Sequence, residues 1–343
     1  MFAICVEASH ARGMGHLFRA VHLRSALQQA GERAVIFIND YLPAIHQLAG
    51  LGVDHRIVPL DAIENDWEGP LIQAFGVDVW VDDRLNTDLG HALRLRENNV
   101  RHATFDDRGA GAALADVHIA ALAFDVAEPL GGRVVLRGAD YLILNPEIAA
   151  VQRVRTQVGR LVVTLGGTDT YGVTVRVVEA LRRTGRTASV IVGPGFAHHA
   201  ELAAVAGADF AIKSNVPSLV RAMSRYDLAI TGGGITPFEA NAAGLPCVVI
   251  ANEPFEVPVG RALERLGGSV FAGYHPEMSL AVLAEALPVE AMSRAGMAQI
   301  GLQGTNRVIQ ALLAQFARAR GVVFRNATGF SMIDSIDRGW GEE

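Results

Sequence analysis

Short apolar runs alternate with amphipathic stretches along most of the chain. In the first half, Phe2–Val6, Ala34–Ile38, residues 77–81 and Arg101–Phe105 are short, partly β-branched, and followed by polar or glycine-rich residues, which predicts strands. After Gly15, apolar residues recur at Ala20, Leu23, Leu27 and Ala30, spaced +3, +4 and +3. That period predicts a helix, with Gly31 as its stop. Strand, glycine loop, helix, strand is a βαβ unit and implies a parallel sheet.

The second half repeats this grammar without repeating the sequence. Residues 161–165 predict a strand, Gly166-Gly167-Thr168-Asp169 a turn, and the stretch through Leu181 a helix. Residues 189–192 predict a strand ending in Gly193-Pro194-Gly195. Residues 228–231 predict another, followed by Gly232-Gly233-Gly234 and a helix over 236–243. Gly244-Leu245-Pro246 stops that helix ahead of a strand at 247–250. Residues 149–160 are polar and Arg-rich and read as a linker. The expected fold is α/β, with two doubly wound Rossmann-like domains at 1–150 and 151–320 and a cleft between them. The stretch 321–343 loses periodicity and stays unassigned.

Composition narrows the function classes. The 343 residues include 30 Lys and Arg against 36 Asp and Glu, a net charge of −6, which argues against a nucleic-acid-binding surface. Half the residues are hydrophobic and 19% are charged, so the chain can bury substantial cores. No run approaches the roughly 18 apolar residues of a membrane span. The first apolar run stops at Glu7, so no signal peptide is expected and the expected compartment is the cytoplasm. Cys5 and Cys247 both lie in apolar runs and are expected as buried, reduced thiols. The Asn326-Ala327-Thr328 sequon reads as chance.

Ligands of open parallel sheets bind beyond the C-terminal strand ends, so the glycine loops there carry the candidate chemistry. In Gly13-Met14-Gly15-His16, the glycines let backbone approach a ligand, and His16 opens a helix. An ordinary imidazole pKa of about 6.5 suits a general base, and the positive helix end favours the neutral ring. A tight turn with an incidental histidine is the alternative. A dinucleotide fingerprint fails, because its third glycine position is Phe18. Gly166 and Gly167 are candidate phosphate contacts, while Thr168 or Asp169 can equally cap the next helix. Gly232-Gly233-Gly234 before a helix is a candidate diphosphate cradle, with Pro237 suited to the first turn. Glu239 can accept from sugar hydroxyls or simply complement the helix dipole. No His or Cys spacing marks a metal site. Asp82-Asp83 and Asp106-Asp107 end strands and can face the cleft, where paired aspartates can hold a cation or bind sugar hydroxyls; adjacent carboxylates more often have divergent duties. No metal and no cofactor are expected.

Taken in order, several segments resemble the two-domain GT-B superfamily that includes MurG. They are Gly13-x-Gly15-His16-x-x-Arg19, Phe105-Asp106-Asp107, Tyr141-Leu142-Ile143-Leu144-Asn145-Pro146-Glu147, Leu165-Gly166-Gly167-Thr168-Asp169, Asp227-Leu228-Ala229-Ile230 with the turn 232–239, and Gly244-Leu245-Pro246. Within it they resemble the PseG/SpsG group, comprising the UDP-sugar hydrolase of pseudaminic acid biosynthesis and its predicted glycosyltransferase relatives. The resemblance implies a second domain that binds the nucleotide. Glu239 would lie on the ribose, Gly233, Gly234 and Thr236 near the diphosphate, and Asn215-Val216-Pro217 near the uracil. The first domain would shape the sugar side, with His16 as general base on water. Gly13, Gly15, Arg19, Asp82, Arg84 and Asn252 are the expected substrate contacts. The implied partner is a small nucleotide sugar, and the expected assembly is a monomer or weak homodimer. Two positions depart from the group. Asp82-Asp83-Arg84 replaces a tyrosine two residues after an aspartate, and Asn252-Glu253-Pro254 replaces Asn-Gln. Both would face the sugar, so Arg84 is expected in the cleft, paired either with Asp82 or Asp83 or with a carboxylate or phosphate of the substrate. The implied reaction is hydrolysis of a UDP-activated amino-deoxy sugar; the alternatives are an inverting glycosyltransferase and a non-catalytic nucleotide-sugar binder.

Overall fold

The computed structural model describes residues 1–10, 13–125, 129–214 and 216–319. Asn215, the stretch 321–343 and the sequon lie outside them. The first sheet has seven strands: β1 (Phe2–Val6), β2 (Ala34–Ile38), β3 (His55–Ile57), β4 (Val79–Asp83), β5 (Arg101–Phe105), β6 (Val117–Ala120) and β7 (Val135–Arg137). Their order is β3-β2-β1-β4-β5-β6-β7. The second sheet has six: β8 (Leu161–Thr164), β9 (Ala188–Val192), β10 (Phe210–Ser214), β11 (Leu228–Gly232), β12 (Cys247–Ala251) and β13 (Ser269–Tyr274), in the order β10-β9-β8-β11-β12-β13. The ladders in both sheets are parallel. The central strands are buried on both faces, which is why they read as continuous apolar runs.

The expected α/β architecture is present in both halves. β4 runs two residues later than the expected strand at 77–81, and this shift matters. It places Asp82 and Asp83 inside the sheet, both buried. Because side chains alternate, Val79 and Val81 join the cluster under the helix Gly15–Gln29, while Trp80 joins the cluster on the other face. Asp82 and Asp83 therefore diverge to opposite faces.

One further expectation changes. The helix Gly304–Ala319, placed by sequence in the second domain, packs on β4, β5, β6 and the helix Gly15–Gln29 of the first sheet. Val308, Ile309 and Leu312 are its buried contribution. The Arg-rich segment 149–160 links the two sheets as a packed segment. Arg155 is 1% exposed, and its guanidinium donates to the carbonyls of Tyr226 (3.3 Å), Arg153 (2.9 Å), Ser224 (3.2 Å) and Ala243. Burial and the nearby Arg153 lower its pKa to about 10. Cys5 and Cys247 are both buried and unpaired.

Replacing Arg155 by Met keeps volume but strips donors from these buried carbonyls. We expect Arg155→Met to destabilise the fold by roughly 2–4 kcal/mol. Urea unfolding should show a lower midpoint at unchanged slope; an unchanged midpoint would refute the bonding role.

Candidate active site

The strand order reverses beside β1 and β4 in the first sheet and beside β8 and β11 in the second, and the loops leaving these strands face one another. They enclose a cavity of about 740 Å³, a size typical of small-molecule sites. The two glycine loops touch directly. A Cβ on Gly167 would lie 2.7 Å from the Cβ of Met14, so only glycine lets the loops close to this distance. The Thr170 hydroxyl donates to the His10 carbonyl across the same junction (2.9 Å).

His16 lines the cavity at the start of its helix. Its Nδ1 lies 2.5 Å from Asp83 Oδ1. Arg19, one turn along the same helix, donates to both oxygens of Asp83 (Nε to Oδ2, 2.7 Å; a terminal nitrogen to Oδ1, 2.5 Å) and to Asp106 Oδ2 (2.6 Å). Burial alone would raise the Asp83 pKa, but Arg19 and His16 pull it down to about 2. A carboxylate that stays ionised can only accept, so Nδ1 carries the proton. Nε2 has no hydrogen-bond partner among the described residues and is the nitrogen presented to the cavity.

Across the cavity stands the turn at 232–236. Glu239 Oε1 accepts from the Asn145 backbone N–H (3.0 Å), which ties the segment connecting the two sheets to the second half. Glu147 continues that tie through Arg221 (2.5 Å) and the Ser218 hydroxyl. Glu256 Oε2 accepts from the N–H groups of Asn252 (2.7 Å) and Gly233 (3.3 Å). A Cβ on Gly233 would lie 2.7 Å from the Glu256 Cβ, so glycine here makes room for that side chain. Burial raises the pKa of both Glu239 and Glu256 to about 7.

Of the expected site residues, Gly13, Gly15, His16, Gly166, Gly167, Val216, Gly233, Gly234, Thr236, Glu239 and Asn252 all line this cavity. Three expected substrate contacts need correction. Arg19 reaches the cavity wall, but Asp83 and Asp106 engage its guanidinium, so it positions instead of binding. Asp82 is fully buried on the opposite face of β4. Arg84 does not line the cavity; it is buried among the charges of Asp82, Glu7 and Asp88, with Nε unpartnered. Asp169 caps its helix, accepting from the N–H groups of Val173 (2.9 Å) and Thr174 (2.8 Å). Sequence reasoning offers Asp83 only as one of a cleft-facing aspartate pair, not as the partner of His16, and does not name Glu256. Strand alternation next to Asp82 was the signal for Asp83; Glu256 had none beyond lying three residues from Glu253.

No family model matches the chain. An uncharacterized protein of Methanocaldococcus jannaschii is 26% identical over 275 residues, covering 72% of this chain. The chain spans about half the length of that relative, 55% of it. Among solved structures, MurG of Acinetobacter baumannii aligns over 91% of this chain and 99% of its own, at TM-score 0.63 and 14% identity. The fold is GT-B. The S. aureus MnaA–UDP co-structure aligns at TM-score 0.62 over 93% of this chain and 97% of its own, with 13% identity. A putative UDP-N-acetylglucosamine 2-epimerase of Listeria monocytogenes aligns at TM-score 0.58 over 92% and 97%, with 14% identity. No helix among the described residues is long and apolar enough to cross a membrane.

The two raised carboxyls set a pH dependence. Each holds its proton more tightly folded than unfolded. The stability they contribute is complete below the ordinary Glu range near 4.3 and is lost as pH rises through about 7. The melting temperature of the ligand-free protein should therefore fall between about pH 5 and 8. A Glu239→Gln, Glu256→Gln double variant should show a shallower fall; an identical slope in the two proteins would contradict the assignment.

Proposed function

We propose that this chain hydrolyses a UDP-activated amino-deoxy sugar at its anomeric carbon, releasing UDP and free sugar. The observation that carries this reading is the His16–Asp83 pair, held by Arg19, on one wall of a nucleotide-sized cavity whose other wall is a glycine turn with a carboxylate beyond it. The first half then shapes the sugar side around Gly13 and Gly15, and Asn252 reaches that side from the loop after β12. The second half takes the nucleotide, with Val216 near the base, Glu239 on the ribose, and Gly233, Gly234 and Thr236 near the diphosphate. That a structure of the same fold was determined with UDP supports the nucleotide side. The amino-deoxy sugar rests on the ordered motifs shared with the PseG/SpsG group.

In the reaction, His16 Nε2 takes a proton from water while the water oxygen bonds to the anomeric carbon. The bond from that carbon to the diphosphate oxygen breaks, and its electron pair leaves with UDP. The transition state is oxocarbenium-like and the outcome inverting, as water attacks opposite the leaving group. Asp83 keeps the proton on Nδ1 so that Nε2 remains the base. Main-chain N–H groups of the glycine turn meet the charge on the departing diphosphate.

One observation favours a second reading, inverting transfer to a sugar or other hydroxyl. Phe18, Leu51 and Phe255 line the cavity while remaining 36%, 46% and 47% exposed, an apolar rim that water does not need. A panel of UDP-sugars, assayed for UDP release with and without hydroxyl acceptors, separates the two. Release without acceptor supports hydrolysis; release only with acceptor supports transfer. Release from no UDP-sugar under either condition removes both.

On the substrate this panel selects, His16→Ala should lower turnover by about 10²–10⁴-fold with UDP affinity nearly unchanged. Near-full turnover would make His16 structural. Glu239→Ala should weaken UDP binding by roughly 1.5–3 kcal/mol in calorimetry, the scale of a hydrogen bond to a charged group. Unchanged affinity with a lower melting temperature would instead assign Glu239 to the Asn145 tie alone.

A further inference from the structure

On the face of the first sheet turned away from the cavity, three side chains from separate elements converge. Asp82 is on β4, His102 on β5, and His91 on the helix Leu89–Glu97. Both imidazoles aim Nε2 at the same carboxylate oxygen, Asp82 Oδ2, His91 from 2.9 Å and His102 from 2.8 Å. The three donor atoms lie within 4.8 Å of one another, and all three residues are buried, at 0%, 0% and 3% exposure. The two rings stand at 78° to each other.

The surroundings select a ligand. His91 Nδ1 lies 2.6 Å from Glu68 Oε1, and Arg94 grips both oxygens of Glu68 (2.8 Å each). A carboxylate on the far nitrogen is the usual outer partner of a metal-binding histidine and holds the proton on Nδ1; in the metal-free protein Nε2 donates to Asp82, and an entering ion displaces that proton. His102 Nδ1 has no partner, so that ring's polar engagement is through Nε2 alone. Trp67 stacks on His91 and Trp80 meets its edge, a dry wall around the cluster. Cys5, buried, is the register partner of Asp82 on the neighbouring strand β1.

We propose that Asp82, His91 and His102 form a structural site for a zinc-class divalent cation. Two imidazole nitrogens and one carboxylate oxygen suit a borderline ion such as zinc; magnesium and calcium prefer all-oxygen shells. A tetrahedral ion at 2.0–2.1 Å from each donor spaces neighbouring donors about 3.3 Å apart, so each imidazole backs away from Asp82 Oδ2 by only about 0.5 Å. The site is separate from the cavity and supplies nothing to the reacting atoms. It ties β4, β5 and the helix Leu89–Glu97 together one residue from Asp83. Sequence spacing did not mark it, because ligands nine and eleven residues apart meet only through the sheet.

Metal content of the full chain, purified without chelator and desalted, tests this. About one equivalent of zinc-class ion per chain is expected. It should be lost in His91→Ala and in His102→Ala, and kept in His46→Ala, a change at an exposed histidine. In case the first two variants misfold, the wild-type protein is also stripped with chelator. Stoichiometric cobalt should then give the visible absorption of a four-coordinate ion, and stoichiometric zinc should raise the melting temperature by several degrees. The proposal is overturned if the wild type carries less than about a tenth of an equivalent and the stripped protein shows neither response. Full metal retention in folded His91→Ala and His102→Ala would overturn it as well.

Discussion

A carboxylate buried at the end of β4 organises this molecule. Asp83 is about 1% exposed, and a lone anion there would take up a proton instead of staying charged. Arg19 prevents this by gripping both oxygens, and it is itself held by Asp106. The same helix carries His16 one turn earlier, so the residue that keeps Asp83 ionised and the residue that uses the ionised form share one rigid element. The orientation of the ring therefore follows from the sheet, not from a loop.

The opposite wall follows a different logic. There the polar groups are main-chain N–H groups and carboxyls of raised pKa, with small residues allowing close approach. In the ligand-free protein Glu256 accepts from the Gly233 N–H, one of the groups that would meet a phosphate oxygen. The two walls are thus unequal: one is fixed by ion pairs, and the other by a buried carboxyl that accepts from main-chain N–H groups.

Much of this fold is legible in the chain because β1, β2, β8, β11 and β12 are buried throughout and almost wholly apolar, as central parallel strands must be. Five strands escape notice: β6, buried but only four residues long and interrupted by His118, β13, whose burial is partial, and three that fail that condition. His55–Ile57 and Val135–Arg137 are three-residue outer strands, and Phe210–Ser214 exposes every residue after its first. β4 was misplaced because two aspartates look like the end of a strand, when buried partners make them part of it. The glycine loops and His16 were readable from local spacing. Asp83, the inward turn of Arg19 and the outward turn of Asp82 and Arg84 were not, because they depend on which face of a strand a residue occupies and on partners 64 to 87 positions away. The carbonyl-held Arg155 and the return of the last helix to the first sheet are likewise set by tertiary packing that no local window contains.

That return has a mechanical consequence. The chain passes between the two halves once through the segment around Asn145 and again ahead of Gly304, where Arg307 pairs with Asp140 beside the first passage. A single tether would leave one half free to swivel about it. Two passages define a line, and rotation about that line is the degree of freedom that the covalent chain leaves least hindered. Any opening of the cavity is thereby steered toward a clamshell path, along which His16 and the facing glycine turn separate without shearing past each other.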